Sequence, residues 1–157
     1  MTRVPVHFRI NGAAVAAQVA PDLTLADFLR GEQRLKGTHI GCEEGVCGSC
    51  TVMADGETLR SCLTLATQMD GADITTVEGF DDPAGERLRK AFSEYFAAQC
   101  GFCTAGMMAV AREFLADTSV ADHRDEAAIR SRLDAVVCRC TGYQAIVAAV
   151  RAAAGAE

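Results

Sequence analysis

No stretch of the 157-residue sequence approaches the length of a membrane span. Met1-Thr2-Arg3-Val4-Pro5 opens no apolar signal core, and no Arg-Arg pair offers a twin-arginine export signal. The expected compartment is therefore the reducing cytoplasm, where cysteines serve first as metal ligands or redox groups and only second as disulfides. Basic excess is missing too. A formal charge of -6 excludes a nucleic-acid footprint and gives an anionic membrane surface nothing to attract. The sequence has no Ser/His/Asp or paired-carboxylate constellation with triad logic, so no substrate site is expected on this chain and no residue is assigned a catalytic role. The adjacent Glu43 and Glu44 read as solvent-facing loop carboxylates. Histidine is scarce, and His7, His39 and His123 fall outside the cysteine spacing, which removes the two-histidine ligation of a Rieske centre.

What is present is cysteine. Eight residues sort into two foursomes with none left over: Cys42, Cys47, Cys50 and Cys62, then Cys100, Cys103, Cys138 and Cys140. Gaps of four, two and eleven residues in the first set match the plant-type spacing for a [2Fe-2S] cluster held by four thiolates. The second set is a C-x-x-C and a C-x-C, separated by a segment long enough to bring the pairs together. Four-cysteine zinc is the alternative, more open at the second set than in the glycine-rich loop of the first. Thioredoxin-like chemistry at Cys100 and Cys103 would need a βαβ context, whereas the surrounding periodicity is helical.

The hydrophobic pattern changes once. From Val4 to Gln18 residues alternate around Asn11-Gly12, predicting a hairpin whose turn takes positive φ. Thr24 and Asp27 resemble a capping box that opens a short helix ending near Gly31. Cys50–Ala54 and Thr58–Ser61 flank Asp55-Gly56 as a second hairpin, followed by a helical Leu63–Met69 and a strand over Ile74–Val77. After Asp81-Asp82-Pro83 the period becomes about 3.6. Leu88, Phe92 and Tyr95 or Phe96 mark one helix face, and Met107, Val110 or Ala111 and Phe114 a second. Ile129, Leu133 and Val136 mark a third, and Ile146 or Val147 with Val150 a fourth. The prediction is an α+β chain with a boundary near residue 80: a ferredoxin-like domain over 1–79 and a four-helix domain over 80–157.

Each foursome has a physical reason to hold an anionic cluster. Gly41, Gly45 and Gly48 let the Cys42–Cys50 loop wrap one centre and bring N-H groups toward its sulfurs. Thr104 and Thr141 follow Cys103 and Cys140, and each is expected to cap the next helix. That would place both pairs at helix N-termini, which favour a centre of formal charge about -2, on two helical hairpins related by pseudo-twofold symmetry.

Two strings together carry a family resemblance. Gly41-Cys42-Glu43-Glu44-Gly45-Val46-Cys47-Gly48-Ser49-Cys50-Thr51-Val52 is one; Gln99-Cys100-Gly101-Phe102-Cys103-Thr104 with Cys138-Arg139-Cys140-Thr141-Gly142-Tyr143 is the other. They resemble the small iron-sulfur subunit of the molybdenum hydroxylases, the xanthine oxidase family that includes aerobic carbon monoxide dehydrogenases. The resemblance spans essentially the whole chain. It implies a plant-type ferredoxin-like (β-grasp) domain and an all-α four-helix-bundle domain, each holding one [2Fe-2S] cluster. It further implies electron transfer from molybdopterin on a large subunit, through both clusters, to FAD on a medium subunit, in a dimer of heterotrimers. Gln99 and Cys140 match the positions that touch the pterin. Ala105 stands where many relatives have proline; alanine also suits a first helical turn. A free-standing ferredoxin-like carrier and a zinc-stabilised interaction module are the rival readings.

Overall fold

The N-terminal elements follow from turn chemistry. A computed structural model describes residues 2–155. In it β1 (Val4–Ile10) and β2 (Ala13–Val19) pair antiparallel across Asn11 and Gly12, whose φ angles of 50° and 79° are those of a type I′ turn. Thr24 Oγ1 accepts the Asp27 N-H at 3.1 Å, starting a short helix, α1 (Leu25–Asp27), that widens into a π turn over Phe28–Glu32. A second hairpin, β3 (Thr51–Ala54) and β4 (Glu57–Arg60), turns on Asp55-Gly56. With β5 (Asp73–Thr75), the strands form one sheet in the order β2-β1-β5-β3-β4, in which only β1 and β5 run parallel. Val6, Phe8 and Ile10 alternate inward and meet Leu25, Phe28, Leu29, Val52 and Ile74.

Two expected elements are shorter in the structure. Helix does not begin at Leu63, because Leu65 forms a β-bridge with Thr24; only Ala66–Met69 closes, as a 3-10 turn. The last strand stops at Thr75, because the Asn11 side chain takes the Thr76 N-H at 2.9 Å in place of a neighbouring strand.

Helices make up the rest. They are α2 (Pro83–Glu94), α3 (Thr104–Ala116), α4 (Glu126–Leu133) and α5 (Gln144–Ala154). Asp82 caps α2 by accepting the Gly85 N-H, and both its oxygens take hydrogen bonds from Arg112 on α3 at 2.6 Å. The Arg112 guanidinium holds the Asp82 carboxyl down at about 2. Leu88, Phe92, Met107, Val110, Phe114, Ile129, Leu133, Ile146, Val147 and Val150 fill one core, as their spacing predicts, and Phe80 joins it. Tyr95 and Phe96 do not. Phe96 adopts φ of 51°; its N-H reaches the Ser93 carbonyl and the Ala97 N-H the Phe92 carbonyl, a Schellman ending with phenylalanine at the left-handed position. That reversal turns Phe96 outward, 82% exposed, and buries Ala97 instead.

The sheet and the helices meet on β3. All four of its residues are buried: Val52 belongs to the sheet core with Leu25, Phe28 and Leu29, while α3 packs against the strand and Met53 belongs to the helical core. Glu113 on α3 accepts from the Thr58 N-H at 2.6 Å and from its hydroxyl at 3.0 Å. Arg60 bridges the same junction, donating to the carbonyls of Gly45 and Ala135.

Candidate metal centres

The first four thiols converge because the Gly41–Cys50 loop is wound tightly. Glu43, Gly45 and Gly48 have φ of 56°, 76° and 74°, and the winding turns the N-H groups of Glu44 and Cys47 to the Cys42 sulfur at 3.4 and 3.5 Å. The Cys47 N-H, then that of Glu44, pull the Cys42 thiol down to about 7. At Gly41 the need is for space rather than conformation, since a Cβ would sit 3.1 Å from the Phe102 ring and 3.4 Å from Cys47 Sγ. Gly48 needs both, as a Cβ there would overlap the Ala135 carbonyl. Cys50 and Cys62 lie beneath. Burial, then the Cys50 thiol, pushes Cys62 up to about 11. The set therefore has an inner pair, Cys50 and Cys62, and an outer pair, Cys42 and Cys47, rimmed by exposed Val46 and Leu63.

The second four occupy the turns of two helical hairpins, α2-α3 and α4-α5, and none lies mid-helix. The contacts run between the turns. Cys100 Sγ is 3.5 Å from Cys140 Sγ, and Cys103 meets Cys138. Cys103 and Cys138 are buried, Cys100 and Cys140 exposed. Burial, then the Cys138 thiol, raises Cys103 to about 12. At Cys138 burial also opposes charge, but the hydroxyl and N-H of Thr141 outweigh it and lower the thiol. The Phe102 N-H lowers Cys100, and the Cys100 thiol raises Cys140.

Neither threonine is the helix cap that the sequence suggests. Cys103 occupies the N-cap of α3, leaving Thr104 as its first residue with a buried hydroxyl that has no partner among the described residues. The N-cap of α5 is Tyr143, at a left-handed φ of 68° after Gly142 at 64°. Thr141 Oγ1 instead accepts the Tyr143 N-H at 3.1 Å and lies 3.1 Å from Cys138 Sγ. The left-handed step delays the helix and turns the threonine to the sulfur. Tyr143 stands in the C-R-C-T-G-Y string, yet no sequence signal marks what its side chain does. The phenol accepts the Cys138 N-H at 2.8 Å and donates to the Val136 carbonyl at 3.2 Å. Gln99 is exposed beside Cys100, while Glu43 and Glu44 face solvent.

Both thiol sets fit a [2Fe-2S] centre. Each offers four sulfurs and no other donor type, touching in pairs, where such a centre takes two thiolates at each iron. Among the described residues no three Cys, His, Asp or Glu side chains gather as a single-ion site would require. The Thr104 hydroxyl, next to Cys103 in the chain, is buried with no partner among the described residues, a donor a bound group could satisfy.

The two sites adjoin. The Val137 N-H, next to Cys138, donates to the Cys47 carbonyl at 2.9 Å. The Phe102 ring, between Cys100 and Cys103, stacks on His39 at 4.7 Å, and the His39 ring nitrogen Nδ1 is 2.8 Å from the Phe102 carbonyl. Gly106 on α3 lies against the Gly48 carbonyl with no room for a Cβ. No described helix is long and apolar enough to cross a membrane.

A family model described as a 2Fe-2S iron-sulfur cluster binding domain matches residues 8–76, and one described as a [2Fe-2S] binding domain matches 76–151. The chain is similar to the nicotine 6-hydroxylase small subunit of Paenarthrobacter nicotinovorans, 46% identical over 98% of this chain and 91% of the relative. It is also similar to caffeine dehydrogenase subunit gamma of Pseudomonas sp. strain CBB1, 44% identical over 93% of this chain and 88% of the relative. Among solved structures, quinoline 2-oxidoreductase from Pseudomonas putida 86 superposes with a TM-score of 0.88 at 46% identity, covering 98% of this chain and 95% of that one.

Proposed function

Because this chain belongs to the family of [2Fe-2S] small subunits of molybdenum hydroxylases, we propose that it relays electrons from a large molybdopterin-binding subunit to a medium FAD-binding subunit. The assembly is a cytoplasmic dimer of heterotrimers. In this reading Cys42, Cys47, Cys50 and Cys62 hold one cluster in a domain over 1–79, and Cys100, Cys103, Cys138 and Cys140 hold the other in a domain over 80–157. When bound, each cluster supplies a one-electron carrier.

The observation that carries the reading is the pairwise convergence of two all-thiol sets that share a backbone hydrogen bond. Each set has a buried pair facing the protein and a pair nearer the surface, which suits a relay that must meet a partner at either end. The Cys47 carbonyl and Val137 N-H join the two ligand sets at 2.9 Å without an intervening side chain. Gln99, Cys100 and Cys140 lie exposed together, as contact with a pterin on another chain requires. The exit toward flavin is then the Cys42 and Cys47 side, where Val46 and Leu63 are 68% and 59% exposed.

Two substitutions in the assembled complex test the division. Cys47→Ser removes the N-terminal EPR signal and electron delivery to flavin, while substrate still reduces molybdenum. Cys140→Ser changes the C-terminal signal and the molybdenum signal together. Loss of neither cluster signal in Cys47→Ser, or an unchanged molybdenum signal in Cys140→Ser, contradicts the assignments. Co-purification without any pterin-bearing subunit would point to the free-standing carrier.

A further inference from the structure

We propose that Thr141 is a positioning residue for the C-terminal centre: its hydroxyl donates to Cys138 Sγ and raises that centre's reduction potential. The inference rests on the ligand assignment above and adds a role that the cysteine spacing does not contain.

The donor direction follows from chemistry. At 3.1 Å either Cys138 Sγ or Thr141 Oγ1 could donate while the cysteine is a free thiol. A ligating sulfur has lost its proton, so in the loaded protein only the hydroxyl can donate. Its hydrogen is available. Thr141 Oγ1 already accepts the Tyr143 N-H at 3.1 Å, which occupies a lone pair and fixes the oxygen beside the sulfur. That N-H arrives there because Gly142 and Tyr143 both take left-handed φ, and the Tyr143 conformation is held by its phenol. The phenol accepts the Cys138 N-H at 2.8 Å, so that N-H is committed away from the cluster. Tyr143 thus sets both ends of the turn, and Thr141 supplies the side-chain hydrogen bond to the sulfur. Cys138 is 8% exposed, and water competes little there.

The sign is fixed by charge. Reduction adds one electron, supplied by the complex's substrate oxidation, and takes the centre from about -2 to about -3. No proton moves; the hydroxyl keeps its hydrogen throughout. A donor to sulfur stabilises the more negative, reduced state and makes the potential less negative. The outer pair, Cys100 and Cys140, has no part in this contact, so the effect is separable from the proposed pterin contact.

The test is an EPR-monitored redox titration of the purified complex. Thr141→Val should lower the reduced-to-oxidised ratio of the C-terminal centre about tenfold at a fixed potential, a shift of about 59 mV for one electron. The N-terminal centre should not move, and Thr141→Ser should restore the native value. An unchanged midpoint in Thr141→Val with both signals present overturns the proposal. Should that variant lose the centre, Thr141→Ala is titrated instead, and pulsed EPR in H2O and D2O compares its exchangeable-proton couplings with the native ones. Loss of one coupling supports the proposal; an identical set overturns it. Iron and labile sulfide are measured on the native complex first. Absence of sulfide there defeats the ligand assignment itself, whereas full content with unmoved potentials defeats only the role of Thr141.

Discussion

Tyr143 shows how one side chain can hold a metal-ligand turn that its own backbone disfavours. A left-handed non-glycine residue costs roughly 1–2 kcal/mol, and at Tyr143 two phenol hydrogen bonds to Cys138 and Val136 offset it. Tyr143→Phe keeps the ring and removes both bonds, leaving the Cys138 N-H without its partner. The expected cost is about 1–3 kcal/mol, read as a lower thermal midpoint with earlier loss of the C-terminal cluster signal. A midpoint equal to the native one would show that the turn stands without the phenol. The sorting of the eight thiols into two converging sets was legible in the sequence, because the close spacings C-x4-C-x2-C, C-x-x-C and C-x-C are local properties of the chain. The roles of Thr104 and Thr141 were not. A threonine before a helix reads as an N-cap, and only the left-handed Gly142-Tyr143 step shows that Thr141 serves the sulfur instead.

Among the elements, the two hairpins were readable because Asn-Gly and Asp-Gly turns need positive φ. Periodicity likewise found the buried faces of the four long helices. It failed at the end of α2, where a Schellman reversal, a matter of carbonyl satisfaction rather than hydrophobicity, throws Phe96 outward. It was also silent about β3, which is buried on both faces because α3 lies across it. Gly106 marks that crossing. Alanine there would gain about 1 kcal/mol of helix propensity, but its Cβ would overlap the Gly48 carbonyl in the cluster loop, and such overpacking costs about 1–3 kcal/mol. The clash should win. Gly106→Ala is expected to lower the thermal midpoint and broaden the N-terminal cluster signal. A stabilised protein with an unchanged signal would mean that α3 can draw back from the loop freely.

At the scale of the whole molecule, the described residues form two main hydrophobic cores, neither large, and a small third cluster of Ala26, Cys50 and Cys62; Cys103 and Cys138 lie in the helical core. The junction of the two main cores includes the Glu113 and Arg60 hydrogen bonds, the Gly48-Gly106 approach, the His39-Phe102 stack and the Val137-to-Cys47 bond. These contacts join residues far apart in sequence, which is why spacing and periodicity could not foresee them. They hold the two thiol sets in one frame, as electron relay requires. The central claim, two [2Fe-2S] centres on one subunit, is tested most directly by iron, zinc and acid-labile sulfide analysis of the anaerobically purified complex, with EPR after reduction. About four iron and four sulfide per chain and two distinguishable signals are expected. Zinc in place of iron, with no labile sulfide and no signal, would contradict it.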